Sequence, residues 1–311
     1  MLVGQPSFTA RTISTSADNA RSVSATDLDS DGDMDLLSAS SDDDKIAWYE
    51  NNGSESFTAH TITTSANGAN SIYAVDVDGD GDMDVLSTME LDNTIAWYEN
   101  NGSQSFTTRI ITTSANAAYS VYAADVDRDG DMDVLSASAS DDKVAWYENN
   151  GSQSFTARTI STDFDGAWSV YAIDVDSDGD MDVLSASHND DKIAWYENTT
   201  SAVYNPSWTA HTVISASDND LPNLVGIDAI DLDRDGDIDI LSSGAGAGDD
   251  NIRWHQNNGS QSFTSINIDN TGGWGVKASD MDGDGDIDVL LGQNEPSNGT
   301  IQLFKNNGSQ S

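Results

Sequence analysis

The chain has 311 residues, with 54 acidic and 12 basic side chains, a formal net charge of −42 and no cysteine. Because contacts with a nucleic-acid backbone need clusters of Lys and Arg, this composition excludes DNA and RNA as partners, and the lack of cysteine excludes disulfide and thiol chemistry. No stretch approaches the roughly 18 apolar residues of a membrane-spanning helix, so we expect no membrane insertion. The first residues lack the pattern of a signal peptide, and we expect a mature domain.

The first predicted element is a short β-rich run at residues 7–13, with the sequence Ser-Phe-Thr-Ala-Arg-Thr-Ile. Similar runs begin at Phe57, Phe106 and Phe155, each a few residues after an Asn-Asn-Gly turn. In those later copies the run is the last strand of a repeat. Residues 7–13 therefore look like a last strand without the strands that should precede it.

The second predicted element is an acidic loop, Asp-x-Asp-x-Asp-Gly-Asp-x-Asp, which starts at Asp27. Five further copies follow it at steps of 49, 49, 49, 57 and 49 residues, beginning at Asp76, Asp125, Asp174, Asp231 and Asp280. A fixed period of this length is typical of a repeat architecture in which each repeat forms one structural unit.

One repeat is predicted to contain four strands, which we call A to D. In the third repeat, strand A covers residues 120–124 and strand B residues 134–138, joined by the acidic loop. Strand C covers residues 143–148, and an Asn-Asn-Gly turn joins it to strand D at residues 155–160. Asn-Gly between two β-rich runs is a strong hairpin signal, because both central turn residues need a positive φ.

These repeats predict an all-β fold, a six-bladed β-propeller of four-stranded antiparallel blades. Calcium-binding β-helices are excluded because they repeat about every nine residues. An EF-hand needs flanking helices and Glu at loop position 12, where this chain has Ser in five copies and Leu291 in the sixth.

The ends of the chain predict how the propeller closes. The last residues, 306–311, form a turn between strands C and D with no strand D after it. We expect the N-terminal strand to complete the last blade and so remove two exposed sheet edges. Residues 1–311 are thus predicted to be a single domain, with an eight-residue insertion between the fourth and fifth acidic loops.

Each acidic loop has the chemistry of a calcium site. Ca²⁺ takes six to eight oxygen ligands, and alternate carboxylates around a glycine turn can supply them. We assign carboxylates at loop positions 1, 3, 5 and 9 and the backbone carbonyl at position 7, which predicts about six structural ions. The candidate metal residues are Asp27, Asp29, Asp31, Asp33 and Asp35; Asp76, Asp78, Asp80, Asp82 and Asp84; Asp125, Asp127, Asp129, Asp131 and Asp133; Asp174, Asp176, Asp178, Asp180 and Asp182; Asp231, Asp233, Asp235, Asp237 and Asp239; and Asp280, Asp282, Asp284, Asp286 and Asp288.

The loops and the β-rich blades around them resemble the FG-GAP/VCBS repeat family, which includes the calcium-binding propellers of integrin α-subunits, of fungal lectins and of secreted bacterial proteins. The resemblance covers nearly the whole chain. The Phe-Gly element of the family is absent, since Phe57-Thr58 and Phe106-Thr107 stand in its place. The resemblance implies a calcium-stabilised propeller and favours the VCBS-like branch.

The two ends of each blade differ in sequence. Strand direction places the A–B acidic loops and the C–D turns at one end, which we call the acidic-loop end, and the B–C and D–A loops at the other, the variable end. The acidic-loop end hardly changes between repeats, whereas the variable end changes greatly. A recognition site is therefore expected at the variable end, with candidate ligand-binding residues Tyr119, Phe164, Trp168, His188 and Trp274.

Two structural roles compete with ligand binding for the aromatic residues. Those at the variable end could instead fill gaps between blades. A second series recurs once per repeat in strand C, and this period predicts that it packs between blades; it consists of Trp48, Trp97, Trp146, Trp195 and Trp254.

Three functions follow as hypotheses. The first is a non-catalytic, secreted recognition or adhesion module that binds glycan or an extracellular protein, because sugars use aromatic faces beside polar groups and calcium is abundant outside cells. The second is a polysaccharide lyase or sugar dehydratase, for which the chain offers only four histidines without an evident acid–base spacing. The third is a structural spacer within a larger multidomain surface protein.

Overall fold

The computed structural model describes residues 12–54, 56–199, 206–215, 223–245, 251–270, 272–281, 283–293, 300–306 and 308. Within these ranges all regular secondary structure is β-strand. No helix in the described part of the chain is long and apolar enough to cross a membrane. The chain forms two compact units, one consisting mainly of residues 11–170 and the other mainly of residues 171–311.

The first unit contains three four-stranded sheets, and in each the strands follow one another in chain order. The first sheet consists of β1 (Ala20–Thr26), β2 (Asp35–Ser40), β3 (Lys45–Asn51) and β4 (Phe57–Thr63). The second consists of β5 (Ala69–Val75), β6 (Asp84–Met89), β7 (Thr94–Asn100) and β8 (Phe106–Thr112). The third consists of β9 (Ala118–Ala124), β10 (Asp133–Ser138), β11 (Lys143–Asn149) and β12 (Phe155–Ser161).

The remaining strands repeat this pattern. The fourth sheet consists of β13 (Ala167–Ile173), β14 (Asp182–Ser187), β15 (Ile193–Asn198) and β16 (Trp208–Ile214). The fifth consists of β17 (Leu224–Ile230), β18 (Asp239–Gly244), β19 (Ile252–Asn257) and β20 (Phe263–Asp269). The sixth has three strands among the described residues, namely β21 (Gly275–Ser279), β22 (Asp288–Gln293) and β23 (Thr300–Phe304).

The predicted fold class, an all-β six-bladed propeller, is confirmed. In the third blade, each strand lies within two residues of its predicted limits. The predicted closure by residues 7–13 falls mainly on residues outside the described ones, and the prediction of one domain over residues 1–311 stays a prediction.

The core lies between neighbouring sheets, as the one-per-repeat tryptophans predict. In the second to fifth blades strand B is buried on both faces, with all six residues of β6, β10, β14 and β18 buried. Trp97 of the second blade is 1% exposed and packs in one cluster with Val121 and Val134 of the third. Trp48, Trp146 and Trp195 are similarly buried. Similar clusters join the first blade to the second, the fourth to the fifth and the fifth to the sixth. Because these blades bury apolar faces against a neighbour, none of them is expected to be stable alone.

Candidate metal loops and the variable end of the blades

The folded loops bring three of their five carboxylates together. In each of the first five loops, carboxylate oxygens from positions 1, 3 and 9 all lie within 4.8 Å of one another. These groups are Asp27, Asp29 and Asp35; Asp76, Asp78 and Asp84; Asp125, Asp127 and Asp133; Asp174, Asp176 and Asp182; and Asp231, Asp233 and Asp239. In the sixth loop, Asp282 lies outside the described residues.

The aspartate at position 9 joins the loop to the sheet. Asp133 is fully buried; its Oδ2 accepts a hydrogen bond from the Val126 amide at 3.1 Å and its Oδ1 accepts one from the Asn149 amide at 2.8 Å. Burial raises the pKa of the Asp133 carboxyl to about 7. The same burial raises the pKa of Asp84 and Asp182 to about 7 and that of Asp239 to about 6.

The aspartate at position 1 shapes the turn. The amides of Asp129 and Gly130 donate to the two oxygens of Asp125, both at 3.1 Å. Arg128 and Gly130 have φ angles of 60° and 97°, and glycine takes the second of these at little steric cost. The loop therefore folds around the Asp125 carboxylate, and the glycine of the repeat permits that path.

Positions 5 and 7 lie outside the cluster of three carboxylates. The Asp129 carboxylate accepts a hydrogen bond from the Asp131 amide at 2.9 Å. The Asp131 carboxylate reaches the C–D turn, where a Cβ on Gly151 would lie 2.5 Å from Asp131 Oδ2. The predicted ligand roles of position 5 and of the position 7 carbonyl stay predictions.

The three converging carboxylates fit a hard divalent cation. Asp127 is 3% exposed, and its Oδ2 is buried without a hydrogen-bond partner among the described residues. Burial, followed by the charge of Asp129, raises the pKa of Asp127 to about 6. Because an all-oxygen set with an unsatisfied carboxylate oxygen suits Ca²⁺, the residues present fit the predicted ion.

The first Asn of the Asn-Asn-Gly turn has a role that sequence reasoning missed. The Asn149 side-chain amide donates to the Met132 carbonyl of its own loop at 3.1 Å and to the Val77 carbonyl of the preceding blade at 3.2 Å. Asn100 makes the same pair of bonds one repeat earlier. This asparagine therefore connects neighbouring acidic loops, a role that a hairpin signal alone does not reveal.

A second missed residue stands two positions after the strand C tryptophan, beside loop position 3. In the third blade this residue is Glu148, whose negative charge contributes to the raised pKa of Asp127. Arg158 of strand D pairs with Glu148 and lies 5.4 Å from the Trp146 ring centroid. The regular recurrence of an acidic residue at this position was the available signal.

At the variable end, two predicted residues come together. The rings of Tyr119 and Trp168 stack with centroids 3.8 Å apart and an interplanar angle of 14°. The Tyr119 hydroxyl donates to Glu90 Oε1 at 2.7 Å, and the Asn70 side-chain amide donates to Glu90 Oε2 at 3.2 Å. Leu91, next to Glu90 in the same B–C loop, is 65% exposed. We call these five residues the aromatic patch.

The other three predicted ligand-binding residues lie elsewhere. Phe164 is only 4% exposed, so its ring packs inside the protein. His188 Nδ1 lies 3.1 Å from Asn189 Oδ1. Trp274 is 41% exposed, and its backbone amide donates to the Gly292 carbonyl at 2.8 Å.

The chain matches the FG-GAP-like repeat model over residues 27–87, 84–136, 127–185, 174–242 and 231–291. These segments cover most of the sequence, and each begins at the first residue of an acidic loop or within one. The protein therefore belongs to the FG-GAP-like repeat family, as its resemblance implied. A search of curated proteins returned no match.

Solved structures with the same fold have diverse activities. A lectin from Agrocybe aegerita, described as recognising non-reducing terminal N-acetylglucosamine, matches with a TM-score of 0.59 and 17% identity over 92% of this chain and 80% of its own. Virginiamycin B lyase from Staphylococcus aureus matches with a TM-score of 0.58 and 12% identity over 94% and 86%. An exotype rhamnogalacturonan lyase matches with a TM-score of 0.50 and 13% identity over 92% and 55%. Such low identities establish the fold alone.

Proposed function

We propose that this protein is a calcium-stabilised, secreted recognition propeller that binds a carbohydrate through the variable end of its blades and has no catalytic activity. The observation that carries this proposal is the aromatic patch. It combines two stacked rings, a carboxylate, an amide and an exposed leucine. This combination suits a sugar, which presents an apolar face and an edge of hydroxyls.

Calcium has a structural role in this proposal. Asp125, Asp127 and Asp133, with their equivalents in the other loops, would hold the ion. Bound Ca²⁺ supplies positive charge that offsets the repulsion among these carboxylates. Millimolar free calcium outside cells would keep such sites filled, which supports a secreted location.

Three of the four histidines support a non-catalytic role. His60 and His211 each pair with a strand C glutamate and stack on a strand C tryptophan, with ring centroids 4.5 Å and 4.4 Å apart. His255 is fully buried between two serines. These contacts are those of side chains that pack the blades. The lectin described above is a relative in fold that binds a sugar.

The first test concerns calcium. Removing calcium with a chelator should lower the melting temperature by roughly ten degrees or more, because each ion lost from a site of high occupancy removes about 2–3 kcal/mol of stability and several ions are lost. Thermal unfolding with calcium, with magnesium and with chelator measures this effect. An unchanged melting temperature in chelator would remove calcium from the proposal.

The second test concerns the ligand. The wild-type protein and Trp168→Ala are applied to a broad glycan array, and each hit is titrated by calorimetry. We expect Trp168→Ala to weaken binding at least about tenfold, because stacking on an aromatic ring contributes about 1–3 kcal/mol. Ile110→Ala is the control, because Ile110 is an exposed apolar residue of strand D. No hit with the calcium-loaded protein, or equal loss in both variants, contradicts binding at the aromatic patch.

A further inference from the structure

One strand C position changes its charge along the six blades. It stands two residues after the strand C tryptophan or its equivalent, and its residue is acidic four times, then a neutral amide, then basic. The residues are Glu50, Glu99, Glu148, Glu197, Gln256 and Lys305. The acidic loops beside it show no such reversal, since all six keep the same five aspartates.

In the fifth blade, this position lies against loop position 3. The Gln256 side-chain amide donates to Asp233 Oδ2 at 2.6 Å. In the first four blades, a glutamate stands at the same place in strand C. The side chain at this position can therefore reach a carboxylate that would hold the ion, and its charge acts on that site.

Two basic side chains lie near the described part of the sixth loop. Lys305 lines a surface pocket of about 230 Å³ together with Asp233, Arg234 and Asp286. Arg234, from the fifth loop, places its Nη1 3.3 Å from Asp286 Oδ1 of the sixth loop. Thus a lysine replaces the fourth carboxylate of the early blades, and an arginine from the neighbouring loop adds a second positive charge.

Among its described residues, the sixth loop keeps the hydrogen bonds that positions 1 and 9 make in the other loops. The Asp288 carboxylate accepts from the amides of Met281 at 3.2 Å and Asn306 at 2.9 Å. Asp280 Oδ2 accepts from the Gly285 amide at 3.0 Å. Backbone amides therefore hold the described part of the sixth loop in the same way as they hold the other loops.

We propose that Lys305 excludes calcium from the sixth loop, so that the protein binds five calcium ions and the fifth loop, with Gln256, binds the weakest of them. This inference rests on the proposed calcium sites. An ammonium within a few ångströms of a divalent ion weakens its binding by roughly tenfold or more even at the dielectric constant of water, and a carboxylate at the same place strengthens it. The chain thus supplies its own cation where the other blades take one from solution.

Native mass spectrometry with calcium as the only added metal tests the proposal by counting ions. The wild-type protein should hold five, and Lys305→Glu should hold six. Lys305→Gln is the matched control, because it removes the ammonium without adding a carboxylate; its sixth ion should need about tenfold more calcium than that of Lys305→Glu. Glu148→Lys should reduce the count from five to four.

The outcomes separate this inference from the proposed function. Six ions on the wild-type protein, or an unchanged count in Lys305→Glu, would overturn the role of Lys305 while leaving calcium binding in place. A wild-type protein without any ion would overturn both. Since Lys305→Glu adds a site instead of removing one, misfolding of Glu148→Lys would not prevent a decision.

Discussion

At the acidic-loop end of the blades, the same hydrogen bonds recur from loop to loop, whereas at the variable end the residues change from blade to blade. The position 9 aspartate binds the same two backbone amides in the first and the fifth blade, with Asp35 and Asp239 in identical roles. The second residue of strand A changes from Arg21 to Asn70, Tyr119 and Trp168. The fold therefore constrains the acidic-loop end, because the residues repeated there accept hydrogen bonds from backbone amides.

The variable end also has a constant anchor beneath its changing residues. The last residue of the B–C loop in the third blade, Asp142, has a φ of 55°, and its Oδ1 accepts a hydrogen bond from the Gly166 amide of the next D–A loop at 2.8 Å. The same anchor is formed by Asp44 with Gly68, Asn93 with Ala117 and Asp191 with Asn223. Asn and Asp tolerate this left-handed backbone conformation better than most residues. Because this hydrogen bond fixes the backbone of the B–C loop, the other residues of the loop can differ from blade to blade.

Removing a position 9 carboxylate should have the largest effect. Asp133→Ala leaves the buried amides of Val126 and Asn149 without an acceptor and deletes one of three converging carboxylates. We expect a loss of about 3–5 kcal/mol in the free energy of unfolding in calcium, measured with urea. Asp131→Ala is the control, with an expected loss below about 1 kcal/mol. Similar losses in both variants would mean that the acidic loop is stabilised by charge alone.

One residue inside a sheet also differs between blades, and it gives the second prediction. The fifth blade replaces the strand C tyrosine by His255, which lies 2.8 Å from both Ser242 Oγ and Ser265 Oγ. In the first blade, Tyr49 lies 3.1 Å from Ser38 Oγ. The strand B serine is therefore the same in both blades, whereas its strand C partner changes from Tyr49 to His255. His255 thus differs from its equivalents although it lies inside a sheet.

Burial lowers the pKa of His255 to about 3. Since this folded-state pKa is below the unfolded value of about 6.5, the stability that neutral His255 contributes is complete above about pH 6.5 and is lost as the pH falls toward 3. By pH 5 the loss should reach about 2 kcal/mol relative to His255→Tyr. Urea unfolding at about pH 7.5 and pH 5 measures it. His60→Gln is the control, and an equal change in that variant would assign the effect to general acidification.

The anchor of the variable end gives the third prediction. Asp142→Ala removes the acceptor of the Gly166 amide and puts alanine at a φ of 55°. We expect a loss of about 1–2 kcal/mol in unfolding free energy. Ser140→Ala, in the same loop, should cost little, because Ser140 uses its backbone amide to bind the Asn116 carbonyl. If the two variants unfold alike, the anchor contributes nothing to the fold.

Features that repeat once per blade could be predicted from the sequence. Contacts between residues that are distant in the sequence mostly could not. The strands, the acidic loops and the inter-blade tryptophans all repeat with the blade, so their roles follow from spacing. Phe164 is among the predicted ligand-binding residues because its position in the sequence does not reveal that its ring is buried. The anchor residue escaped notice because the position holds Asp in three blades and Asn in another, and because the partner lies 24 residues away from Asp142 and from Asn93.

The smallest expected change in stability tests the aromatic patch itself. Tyr119→Phe removes the hydrogen bond to Glu90 but keeps the ring that stacks on Trp168. Because both partners are only half-buried, we expect a loss of about 1 kcal/mol or less. If the patch binds a sugar, Tyr119→Phe should change the affinity for that sugar more than it changes the stability of the fold. In this variant the Glu90 carboxylate keeps the hydrogen bond from Asn70, but the oxygen that Tyr119 bound is free for the sugar.

The matching variant is Glu90→Gln, which keeps an acceptor for Tyr119 and removes the charge. A double-mutant cycle of Tyr119→Phe and Glu90→Gln, read both by urea unfolding and by calorimetric titration of a glycan found on the array, gives the coupling for folding and for binding separately. Coupling in binding that exceeds coupling in folding assigns the pair to recognition. Equal coupling in folding and in binding assigns the pair to the packing of the second and third blades. The variable end would then have a structural role, like the acidic-loop end, in spite of its variable sequence.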